Sequence, residues 1–73
     1  MIEKFSFDYT YKGKKRNKII VTYSLQEAFD RAAMFLEELN ENLDLVGLET
    51  WEDIQDACAE CGINVDELIV EDE

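Results

Sequence analysis

Residues 4–11 read KFSFDYTY, in which Phe5, Phe7, Tyr9 and Tyr11 alternate with Lys4, Ser6, Asp8 and Thr10. A period of two is the mark of a half-buried strand, here with one aromatic and one polar face. The alternation predicts a strand over residues 3–11 whose rings need a cover, and the rest of the chain is read as what packs on them. Residues 18–23, KIIVTY, are rich in β-branched side chains and predict the second strand of a hairpin. Placing Ile19, Val21 and Tyr23 beside the aromatic face requires paired residue numbers with an even sum. That register calls for an odd-length loop or a bulge near the tip, because a two-residue Gly13-Lys14 turn would send Ile19 and Val21 to the other side of the sheet.

The cover follows directly. Ser24 and Glu27 in SLQE form a capping box, which opens a helix expected over residues 25–40. Leu25, Ala28, Phe29, Ala32, Phe35, Leu36 and Leu39 fall on one stripe, and the two alanines allow close approach to the rings. The opposite face carries Glu27, Asp30, Arg31, Glu37, Glu38 and Glu41, with Met34 in its middle. The connection that follows contains Leu43, Leu45, Val46 and Leu48, too apolar for a solvated linker, and is expected to cross the core. TWED at 50–53 is a second cap, opening a helix over 51–61 that buries Trp51, Ile54, Ala57, Cys58 and Cys61 and turns Glu52, Asp56 and Glu60 outward. Gly62 is its stop. For the end of the chain we expect a turn at 64–67 and a short strand at 68–70. The whole is a small single-domain α+β fold of order ββααβ.

Bulk properties agree with one folded domain: 73 residues, 47% hydrophobic and no proline. No apolar run approaches the roughly 20 residues of a membrane span, and the first residues lack a signal-peptide core, so a cytoplasmic protein without membrane contact is expected. Two cysteines are too few for a disulfide framework.

Charge is divided unevenly. The formal net charge is −11, yet residues 1–23 hold six basic and two acidic side chains, a balance of +4. Five of the seven cations, Lys12, Lys14, Lys15, Arg16 and Lys18, lie in KGKKRNK at the expected hairpin tip. They could hold phosphates, with Tyr9 or Tyr11 stacking on bases. The aromatics are better used against the first helix, and the cations as a solvated turn or an internal counter-charge.

Little here supports chemistry. CAEC at 58–61 lies at the end of its helix beside Asp56 and Glu60, where dipole and carboxylates disfavour thiolate, and a zinc site would want more ligands than two Cys and no His. Both cysteines read as core. Asn40, Asn42 and Asp44 imitate the start of a calcium loop, but Leu45 stands where Gly is required and Trp51 where the bidentate Glu belongs. There is no histidine, no glycine-rich phosphate loop and no serine free of a structural role. No enzyme, cofactor or metal is expected.

What stands out is the acid on the helices. Glu52, Asp56 and Glu60 repeat every four residues along one line, and no Lys or Arg in the second helix offsets them. With Glu27, Asp30, Met34, Glu38 and Glu41 they make an anionic surface with an apolar spot. Such a surface fits a basic groove on a partner protein, in particular one that normally holds nucleic acid. In size and charge the chain resembles small acidic proteins of phages and mobile elements that block nucleases, a likeness of composition only. The leading expectation is therefore a non-enzymatic, acidic interaction protein, monomer or homodimer, acting as an inhibitor or nucleic-acid mimic. One alternative is a nucleic-acid-binding accessory module using the basic tip. The other is a structural or dimerising protein of a phage or mobile element.

Overall fold

The computed structural model describes residues 2–71. Its elements run β1 (Glu3–Tyr11), β2 (Lys14–Thr22), α1 (Leu25–Leu39), α2 (Trp51–Glu60), β3 (Ile63–Val65) and β4 (Ile69–Glu71). They form an α+β domain with one antiparallel sheet, and the helices lie on its aromatic face. β1 is the centre of the sheet, with β2 along one side and β3 and β4 in line along the other. α1 packs over β2 and α2 over β3.

The hairpin differs from the expected register, and the turn explains why. Tyr11 pairs with Lys14, Phe7 with Lys18 and Phe5 with Ile20, sums that are odd. The chain reverses in two residues, Lys12 at φ 54° and Gly13 at φ 79°. Positive φ at both positions matches the twist of the flanking strands, and glycine adopts it without a Cβ penalty. The rings therefore share their face with Ile20 and the stem of Lys18, while Ile19 and Val21 are about half exposed on the other face. The same turn starts β2 at Lys14, so most of the basic segment is strand and not loop. Lys12 is a β-carbon-bearing residue in a left-handed conformation, so Lys12→Asn, which tolerates it better, is expected to raise stability by about 0.5 kcal/mol in urea denaturation.

The far edge also departs from expectation. Residues 63–65 are a strand, pairing Ile63 with Tyr11 and Val65 with Tyr9. The bond from the Asp66 N–H to the Asp8 carbonyl, 2.9 Å, continues that ladder. Four residues of β1 later, Lys4 pairs with Glu71, with Ile69 opposite Ser6. From Asp8 to Ser6 the central strand advances two residues, while the edge advances three. The extra residue is a bulge, and it keeps both Val65 and Val70 on the ring side. The C-terminal strand begins at Ile69, one residue later than expected.

Both helices open as their caps require. The Ser24 side chain accepts from the Glu27 N–H at 3.2 Å and Thr50 from the Asp53 N–H at 3.1 Å. Ala28, Ala32 and Leu36 of α1 and Ile54 and Cys58 of α2 are buried against Phe5, Phe7, Tyr9 and Ile63. Leu43 and Leu45 of the connection are buried with them, as its apolarity predicts, while Val46 is left exposed. The Glu37 carboxylate anchors that crossing by accepting from the Leu45 N–H at 2.8 Å. At φ 81°, Gly62 closes α2 in the left-handed conformation, its N–H bonded to the Ala59 carbonyl.

Candidate functional site

The two helices form one layer, so their outward faces make the surface opposite the sheet. On α1, the residues one helical turn and a little apart, Asp30, Met34 and Glu38, stand outward in a row with Glu27 beside it. On α2, Glu52, Asp56 and Glu60 are all exposed, and Glu41 is exposed just beyond α1. Each acid of the expected surface is thus placed outward, but they differ in what they already hold.

Glu27 is engaged at the strand–helix junction. It accepts from the Thr22 hydroxyl and from the Tyr23 backbone N–H, which together with Arg31 hold its carboxyl below the usual range. Asp30 accepts from the Gln26 amide at 3.3 Å. In contrast, Glu38, Glu41, Glu52, Asp56 and Glu60 accept no hydrogen bond or ion pair from another side chain among the described residues. The three ion pairs found there all lie on the sheet: Lys4–Glu71 at 3.4 Å, Lys15–Asp8 at 4.0 Å and Lys15–Asp66 at 3.9 Å. Among the described residues the carboxylates of α2 have no ion-pair partner.

Met34, 65% exposed, stands on a ridge between two grooves. One, of about 310 Å³, runs between α1 and β2 past Lys18, Arg31 and Glu38. The other, of about 290 Å³, lies between α1 and the connection and is lined by Phe29, Ala33, Leu45 and Leu48, with Asp30 and Glu37 at its rim. Val46, 83% exposed, borders the second. The apolar spot is larger than Met34 alone, and Val46 is the part that periodicity could not show, because it belongs to no regular element.

The basic tip is partly consumed by the fold. The Lys18 ammonium sits 4.6 Å from the centre of the Phe35 ring and that of Lys12 5.2 Å from the centre of the Tyr11 ring. Lys15 faces Asp8 and Asp66 on the open side of the sheet. Lys14 and Arg16 stand exposed on the ring side of the hairpin, beyond the cover of α1. The tip's aromatic neighbours Tyr9 and Tyr11 pack into the core.

Cys58 is buried, and burial, followed by the neighbouring Cys61, pushes its thiol up to about 11. A thiol so disposed is a poor nucleophile at neutral pH. Asn40 and Asp44 use side-chain oxygens locally, on the N–H groups of Asn42 and Val46. Among the described residues no cluster of three metal-ligating side chains forms, and no helix is long and apolar enough to cross a membrane.

Two carboxylates are held below the usual carboxylate range by bonds that the fold supplies. Glu71 accepts from the Ser6 hydroxyl at 2.8 Å and pairs with Lys4, and both lower its carboxyl, as Thr22 and Tyr23 lower that of Glu27. A depressed folded-state value stabilises the fold above the unfolded value, and that contribution is lost as pH falls through the folded one. Glu27→Gln/Glu71→Gln is therefore expected to lose less stability than the wild type between about pH 5 and pH 3 in parallel urea titrations.

No protein-family model, curated protein or solved structure matches this chain.

Proposed function

We propose that this protein is a non-enzymatic binder that lays the outer face of its helical layer on a basic surface of a partner protein, one that ordinarily receives nucleic acid. The observation that carries this reading is the row Glu52, Asp56 and Glu60, exposed on one line of α2 with no ion-pair partner among the described residues, beside a second acidic helix face that carries Met34. Like charges four apart cost a few tenths of a kcal/mol per pair. A surface that needed only solubility would mix signs. Carboxylates on such a line supply steering and register to a cationic groove, and Met34 with Val46 supplies apolar area that a partner can desolvate. Capture of partners from a lysate of the producing cell with wild type and with Glu52→Lys/Asp56→Lys/Glu60→Lys tests it. The wild type is expected to retain a nucleic-acid-binding protein that the folded triple variant releases. Equal retention by both would remove α2 from the interface.

A second reading, self-association, has its own observation. The open face of the sheet exposes Ile19, Val21 and Ile69, and its lysines Lys4 and Lys15 offset most of the charge of Glu71, Asp8 and Asp66. On a chain of net charge −11 this is a face on which two copies can meet without strong repulsion. Sedimentation over a range of concentrations decides it: a dimer that Val21→Lys dissociates supports this reading, and a monomer throughout ends it.

A further inference from the structure

Where the amino-terminal ends of α1 and α2 meet the bulge, a pocket of about 380 Å³ opens to solvent, lined by Leu25, Phe29, Trp51, Leu68, Glu49 and Glu67. None of the eight residues assigned to the acidic face lines it. Its wall is fixed in place. The Trp51 indole N–H donates to the Asp66 carbonyl at 2.8 Å, and the ring meets Phe7 and Phe29 edge-on, with centroids 5.2 Å and 6.0 Å apart. The residue before Trp51 is the Thr50 cap, so the indole sits at the capped first turn of its helix. Among the described residues neither Glu49 nor Glu67 is paired with a cation or accepts a side-chain hydrogen bond.

Two helix amino-termini lie close by, and alone they would favour an anion, each acting as about +0.5 charge. Glu49 and Glu67 in the lining, and Glu27, Glu52 and Asp53 in the first turns, outweigh them. The sign of the site is negative and its walls are aromatic and aliphatic. That combination suits a cation on an apolar stem: the stem against Leu25 and Leu68, the charge near a ring and a carboxylate. A guanidinium fits better than an ammonium, because it is planar, more weakly hydrated, stacks on aromatic rings and pairs with a carboxylate through two N–H groups.

We propose that this pocket receives an arginine side chain presented by the basic partner, a contact that rests on the function proposed above and adds an anchor beside the acidic face. The protein's single tryptophan lines the pocket, so its fluorescence reports occupancy directly. The test titrates wild type and Glu49→Gln/Glu67→Gln with the capped tripeptide Gly-Arg-Gly and with Gly-citrulline-Gly, in which a neutral urea replaces the guanidinium at nearly equal shape. The arginine peptide is expected to give a saturable change that the citrulline peptide does not. The double variant should bind it about tenfold more weakly, the product of two partly exposed ion pairs. Equal responses to the two peptides, an undiminished response in the variant, or no saturable response would overturn the assignment. Because no partner is present, a negative result leaves the capture experiment standing, and failed capture leaves this titration standing.

Discussion

Phe7→Ala is expected to leave the chain largely unfolded at room temperature. Phe7 is fully buried at the centre of β1, and its ring meets those of Tyr9, Phe35 and Trp51, with centroids 5.9 Å, 6.4 Å and 5.2 Å away. It therefore joins α1 and α2 through one strand. Truncating a buried phenylalanine costs about 3–5 kcal/mol, and the edge-on aromatic pairs add about 0.5–1.5 kcal/mol each. A single core in a chain of this length rarely supplies more than about 3–5 kcal/mol in total. Circular dichroism with urea titration reads the result. Met34→Ala is the comparison: an exposed position that contributes little to the core should shift stability by no more than about 0.5 kcal/mol. A Phe7→Ala protein with a wild-type urea midpoint would mean that the ring cluster is not the centre of the fold.

The second large effect concerns binding and leaves the fold intact. Glu52→Gln/Asp56→Asn/Glu60→Gln takes the net charge from −11 to −8. It removes three like-charge pairs at helical spacing, Glu52/Asp56, Asp56/Glu60 and Asp53/Asp56, each worth about 0.2–0.5 kcal/mol. Glu52 in the first turn of α2 is favoured by the helix dipole and Glu60 in the last is disfavoured, so those two terms nearly cancel. The variant should be more stable than the wild type by about the sum of the three pair terms, read as a higher urea midpoint. Its affinity for the partner should fall by about 10–100-fold, as three contacts of up to about 1 kcal/mol each imply. Gained stability together with lost affinity is what separates a binding surface from a solvated one, for which only the stability changes.

The sequence makes the helices and the central strand legible because their signals are local. Ser24 and Thr50 mark both helix starts, and both expected helices end one residue beyond the observed Leu39 and Glu60. The alternation of four rings specifies β1 and its inner face. The register of β2 is harder to read, because Ile19, Ile20, Val21 and Thr22 offer an apolar face at either parity. The decision passes to Lys12 and Gly13, whose left-handed backbone fixes a two-residue turn. β3 is hidden for another reason: three residues, Ile63–Val65, are too few to show a period, and their pairing with Tyr9–Tyr11 is wholly long-range. The outward placement of the helical acids is legible from spacing. Which of them the fold already uses is not, since the bond of Glu27 to Thr22 and that of Glu37 to Leu45 depend on elements that meet only in three dimensions. The arginine pocket is the extreme case, assembled from residues 25, 26, 29, 49, 51, 67 and 68.

The most direct test of the central claim, that the carboxylate row of α2 is a contact surface for a basic partner, is a calorimetric titration of the captured partner at low and high salt. Wild type and Glu52→Gln/Asp56→Asn/Glu60→Gln are compared under the same conditions. The account predicts that wild-type affinity falls steeply with salt, and that the variant binds more weakly at low salt with a shallower dependence. Identical affinities and identical salt dependence for the two proteins would contradict it.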